Sequence, residues 1–119
     1  MMYIDGFLVP VRKDRIEAYR AMSEEFLAVW IDHGALTAVE AMGDDVPDGV
    51  HTSFPMAVKL EPGEVVVFSF ITYRDRAHRD AVNADAMADP RVAAMPTDIF
   101  DGRRMIWAGF VPFVTKGLA

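Results

Sequence analysis

Asp5 and Glu40 are acids that the sequence sets among apolar neighbours. Asp5 lies inside Tyr3-Ile4-Asp5-Gly6-Phe7-Leu8-Val9, and Glu40 inside Leu36-Thr37-Ala38-Val39-Glu40-Ala41-Met42. Both stretches read as strands, so an inward carboxylate would lose its hydration and need a partner. A carboxyl so placed is a candidate general base or substrate anchor. Arg103 or Arg104, next to a later strand, could supply the cation for Asp5. Asp5, Glu40 and Arg104 are therefore the catalytic candidates. The plain alternatives are a structural ion pair or a contact between protomers for Asp5, and an outward charge on an edge strand for Glu40.

The other reactive side chains form no recognised motif. His33, His51 and His78 do not stand at helical metal spacing and pair with no nearby acid, so no metal site is expected. His51 lies in a loop that could cover a pocket. The acidic run 44–49 fails as a calcium loop at its third position, Val46, and reads as a turn. Trp30, Tyr73, Trp107 and Phe110 are candidates to line an aromatic ligand cavity, or are plain core. No Ser-His-Asp arrangement, phosphate-cradling glycine loop or dinucleotide fingerprint is present, and no cofactor is expected.

The elements that must position these residues follow from periodicity. Residues 65–73, Val-Val-Val-Phe-Ser-Phe-Ile-Thr-Tyr, form the strongest strand pattern and are apolar on both faces. Residues 3–10 read as a strand ended by Pro10. Residues 12–33 read as a long helix, with Ile16, Tyr19, Met22, Phe26, Val29 and Trp30 in one stripe, Asp14 and Glu17 spaced as a capping box, and Gly34 as the stop. A strand over 36–42 follows, then a broken stretch and a short extended piece within 54–60. A second helix spans 75–88 with Asp75 as N-cap and a mostly small buried face of Ala77, Ala81, Ala84 and Ala88, with Val82 and Met87 beside it. Asp89-Pro90 opens a short extra turn, and 104–114 is the last strand. The order β-α-β, β-α-β predicts an α+β, ferredoxin-like βαββαβ fold: a four-stranded antiparallel sheet with two helices on one face.

The chain has 119 residues, 52% hydrophobic and 25% charged, which suits one globular domain over 1–119. It has no cysteine, so disulfides, thiolate catalysis and Cys-based zinc sites are excluded. No apolar run is long enough to span a membrane, and the first residues lack a signal-peptide pattern; a cytoplasmic setting is expected. The formal charge of -6 disfavours nucleic acid and an anionic membrane as partners.

Two helices cover only one face of the sheet, yet residues 65–73 and 104–114 are apolar on both. An apolar face of that size exceeds what a monomer usually exposes. A second copy packed face to face, with a cavity between the sheets, is the simplest cover; the alternative is that the linker 43–64 folds over it.

The segments Asp5-Gly6-Phe7, Gly34-Ala35-Leu36, Val39-Glu40, Asp45-Val46-Pro47-Asp48-Gly49, Ala57-Val58-Lys59, Val66-Val67-Phe68-Ser69, Arg79-Asp80, Asp89-Pro90-Arg91 and Phe100-Asp101-Gly102-Arg103-Arg104-Met105-Ile106 together resemble the uncharacterised YbaA-like family of the dimeric α+β barrel superfamily. The resemblance implies the fold and a homodimer, and no established activity. After Glu40, Ala41-Met42-Gly43 replace an aromatic expected there. The expected function is binding of a small apolar or aromatic molecule in a pocket, with acid-base chemistry as an extension; the alternative is a non-catalytic interaction or regulatory dimer.

Overall fold

The computed structural model describes residues 2–117. The chain runs β1 (Tyr3–Arg12), a 3-10 turn (Lys13–Arg15), α1 (Ile16–Asp32), β2 (Thr37–Met42), α2 (Phe54–Ala57), β3 (Glu64–Tyr73), α3 (Arg76–Met87), α4 (Pro90–Ala93) and β4 (Ile106–Phe110). The four strands form one antiparallel sheet in the order β2-β3-β1-β4. β1 and β3 pair along their full lengths, Tyr3 opposite Tyr73 and Arg12 opposite Glu64. This is the ferredoxin-like βαββαβ arrangement.

Strand alternation sorts the residues into two layers. Tyr3, Asp5, Phe7, Val9 and Val11 of β1 share a face with Val65, Val67, Ser69, Ile71 and Tyr73 of β3. There Tyr3, Ile71 and Tyr73 pack with Val29 and Trp30 of α1 and Val82 and Ala86 of α3. A second cluster joins Val9, Val11 and Val67 to Tyr19 and Ile99. Each fully buried apolar side chain of this size contributes about 1.5–3 kcal/mol. On the opposite face Phe68 is 45% exposed and Phe110 55% exposed, with Val39 and Ile106 also open. The linker covers part of that face: the Phe54 ring meets Phe68 edge-on, centroids 6.4 Å apart.

The strand does not end at Pro10. The Val66 carbonyl accepts from Gly43 N on the β2 side, so Val66 and Pro10, which sit opposite each other, turn their backbone groups away from one another. The nitrogen of Pro10 therefore faces the β4 side, where pairing stops at Leu8. A missing N–H costs nothing there, and β1 continues to Arg12.

Helix α1 starts later than the spacing predicts, and without a capping box. The Asp14 carboxylate is taken by Arg12, 2.9 Å from Oδ1 to Nε, and Arg15 at the N-cap offers no side-chain bond. Gly34, at φ 112°, ends the helix region as expected. The piece expected as extended within 54–60 is the short helix α2: Ser53 Oγ accepts from Met56 N, and Pro55 lies in the first turn. β4 is confined to Ile106–Phe110, because Arg104 N is held in a turn by the Asp101 carbonyl and Pro112 has no N–H to extend the ladder.

The inward face of α3 differs most from expectation. Asp75 caps it through His78 N at 2.7 Å, but Ala77, Ala81 and Ala84 point to solvent. Val82 is buried as expected, together with Ala86, while Met87 is exposed; Arg79 and Asn83 are half-buried beside them. Arg79 and Asn83 turn inward because buried polar groups on the sheet and on α1 need partners.

Candidate functional site

Asp5 and Glu40 both lie on the helix-covered face of the sheet, yet in separate places. Asp5 stands opposite Ile71 of β3, whereas Glu40 stands opposite Ser69. Their surroundings give them different chemistry.

Asp5 is sealed, 1% exposed. Arg79 of α3 faces it, with Nε 3.4 Å from Oδ1, and also donates from Nη2 to the Tyr3 hydroxyl at 2.9 Å. The Arg79 guanidinium lies over the Tyr3 ring, 4.9 Å from its centroid. Asn83 Oδ1 accepts from Trp30 Nε1 at 2.9 Å and from the Tyr73 hydroxyl at 3.3 Å. Burial raises the Asp5 carboxyl above the usual range, opposed by Arg79, Tyr73 and Asn83. Trp30 and Tyr73 thus belong to this closed polar knot. Gly109 lies opposite Asp5, and a Cβ on it would overlap the Tyr3 hydroxyl and stand 2.5 Å from Arg79 Nη2. The knot needs a glycine there.

Glu40 borders open space. Tyr19 of α1 presents its hydroxyl to both carboxylate oxygens, at 2.9 and 3.1 Å. Ser69 and Ser23 add hydroxyls. A cavity of about 310 Å³ lies on one side, with Leu27, Met42 and Val67 as apolar wall and Arg20, Glu24 and Glu40 as its charged side chains. A second, of about 160 Å³, lies on the other side and is lined by Tyr19, Ser23, Phe26, Glu40, Ile71 and Met105 among others. Tyr19, Ser23 and Glu40 line both. Burial raises the Glu40 carboxyl above the usual glutamate range, against the pull of the three hydroxyls. Burial and the neighbouring acid push Tyr19 upward too, so it stays a neutral donor. A half-buried carboxyl with a phenol beside it, facing a mostly apolar cavity, has the make-up of a general acid-base group.

The remaining candidates do not gather around either acid. Arg104 lies near the other end of the sheet, with both Nη atoms 2.7 Å from Glu64 and Nε 3.0 Å from Asp101. The cation beside Asp5 is Arg79, because the antiparallel register puts Gly109, not Arg104, opposite Asp5. His51 is in an exposed loop. On β4, Phe110 stands on the open face and Trp107, opposite Phe7, on the helix-covered one; each is 55% exposed, and both border a groove of about 250 Å³. Among the described residues, no group of three or more His, Cys, Asp or Glu could hold a metal ion. None of their helices is long and apolar enough to cross a membrane.

Sequence reasoning placed Glu40 but not Tyr19, Ser23 and Ser69 around it. A signal existed: Ser69 interrupts an apolar strand, and Ser23 lies one turn beyond Tyr19 on the buried side of α1.

Over residues 2–102 the sequence matches a family described as a protein of unknown function, DUF1428. The chain belongs to that family. This DUF1428 chain is 47% identical over 117 residues to the uncharacterized protein YbaA of Escherichia coli strain K12, covering 98% of this chain and all of that one. The uncharacterized YbaA of Shigella flexneri is equally similar, with the same coverage. Among solved structures, Rv0793 from Mycobacterium tuberculosis superposes with a TM-score of 0.60 at 14% identity, over 98% of this chain and 100% of that one. A putative antibiotic biosynthesis monooxygenase from Nitrosomonas europaea gives 0.53 at 15% identity, covering 98% and 94%. An uncharacterized NIPSNAP domain protein from Burkholderia xenovorans gives 0.53 at 18%, covering 98% and 100%. These structural likenesses establish the α+β fold of the DUF1428 chain and nothing about its chemistry.

Proposed function

We propose that this protein is a cytoplasmic homodimer, one domain per chain, that binds a small apolar or aromatic molecule between α1 and the sheet, with Glu40 as the acid-base group. The observation that carries the reading is the meeting of two apolar-walled cavities at the Tyr19–Glu40 pair. Asp5, closed in by Arg79, and Arg104, tied to Glu64 and Asp101, are assigned to holding the fold. The dimer is supported by the open sheet face, where Phe68, Ile106 and Phe110 stay exposed although Phe54 covers part of it.

Native mass spectrometry of the purified protein, first gentle and then denaturing, tests both parts. The expected result is a dimer carrying an extra mass released on denaturation. A clean monomer would remove the dimer from the proposal. The same open face favours a second reading, a non-catalytic interaction module, and a dimer that takes up no small molecule from an apolar or aromatic panel would favour it.

A further inference from the structure

We propose that the Glu40 cavity takes an amine carried on an apolar body, the ammonium group pairing with the Glu40 carboxylate. This rests on the pocket reading above and names its ligand class.

The two inward acids are provided for differently. Asp5 has a guanidinium of its own, Arg79, at 3.4 Å. Glu40 has hydroxyl groups, from Tyr19, Ser69 and Ser23. Among the described residues no lysine or arginine pairs with it. Hydroxyls donate hydrogen bonds but carry no charge, so the half-buried Glu40 carboxylate has no cation of the described residues paired with it. A ligand cation supplies the missing charge.

The mouth of the larger cavity points the same way. Glu24 joins Glu40 on its wall, and the one arginine there, Arg20, is tied to Glu17 with Nε 3.2 Å from Oε2. With two carboxylates against one guanidinium the wall carries net negative charge, which disfavours carboxylate and phosphate ligands and favours an ammonium group. Leu27, Met42 and Val67 supply apolar surface for the rest of the molecule. An amine with a phenyl-sized body satisfies both requirements.

Isothermal titration calorimetry of the full chain near neutral pH tests this with three probes of similar shape: 2-phenylethylamine, 2-phenylethanol and 3-phenylpropanoate. The amine is expected to bind at least tenfold more tightly than the alcohol, and the acid least. Glu40→Gln is expected to remove the amine's advantage. Equal binding of amine and alcohol overturns the amine assignment and leaves the pocket standing. No binding by any probe, with no co-purifying mass, overturns the pocket reading as well. If Glu40→Gln does not fold, amide shifts of the parent chain on adding the amine decide: changes centred on Tyr19, Ser23 and Leu27 support the site, and changes confined elsewhere overturn it.

Discussion

The Arg79 guanidinium faces the Asp5 carboxylate at 3.4 Å, and both facing atoms, Nε and Oδ1, are buried without a hydrogen bond. The pair joins α3 to the middle of the sheet through charge alone, in surroundings where charge is poorly screened.

Removing one member should therefore cost more than the contact itself contributes. Arg79→Ala leaves Asp5 buried with no cation and is expected to lower stability by about 3–5 kcal/mol. Replacing both, as Asp5→Asn with Arg79→Met, should recover much of that loss. Urea unfolding of the single and double variants measures it, and a double variant no better than Arg79→Ala counts against the pairing.

The knot above Gly109 makes a second, sharper prediction. Gly109→Ala puts a methyl into the Tyr3 hydroxyl and the Arg79 guanidinium and should cost about 1–3 kcal/mol. Gly6→Ala, whose new methyl would meet the Phe110 ring at an ordinary 3.5 Å, should change stability by less than about 1 kcal/mol. Thermal melts of the two variants side by side check the contrast.

The pH dependence of Glu40 has a definite sign. Burial holds its carboxyl above 4.5, so the folded chain keeps a proton there that the unfolded chain releases. The stability from that proton is present below pH 4.5 and is lost as pH rises through the folded value. Glu40→Gln abolishes this dependence. From pH 4.5 toward neutrality, the parent's denaturation midpoint should fall relative to the variant's. Asp5 shifts in the same direction but is common to both proteins, so the difference isolates Glu40. A flat difference across that range would rule out the assignment.

Self-association through the open face predicts that Phe68→Asp, with or without Phe110→Asp, yields a folded monomer where the parent is a dimer. Sedimentation velocity and far-ultraviolet circular dichroism together read out size and folding. A parent that sediments as a monomer ends the idea.

Much of the architecture was legible because period-2 and period-3.6 patterns are strong in β3 and α1. The α3 face was misread because counting alanines ignores what the sheet demands: Arg79 and Asn83 turn inward to meet Asp5, Trp30 and Tyr73. That demand is a long-range fact, with Asp5 and Arg79 separated by most of the chain. The same reason hid the partner of Asp5, which the expected neighbouring strand suggested lay at Arg103 or Arg104. The Glu40 site was half legible. Its acid stood out in an apolar strand, while Tyr19 looked like one more member of the α1 stripe.

Pro10 has a consequence for the accounting of polar groups. Along β1 beyond Leu8 its nitrogen faces the side on which β4 has already ended, and the residue is fully buried. Any other amino acid would bring an N–H to that place, out of reach of water and without a ladder partner on β4. A single ring closed on its own nitrogen thus spares the interior an orphaned donor.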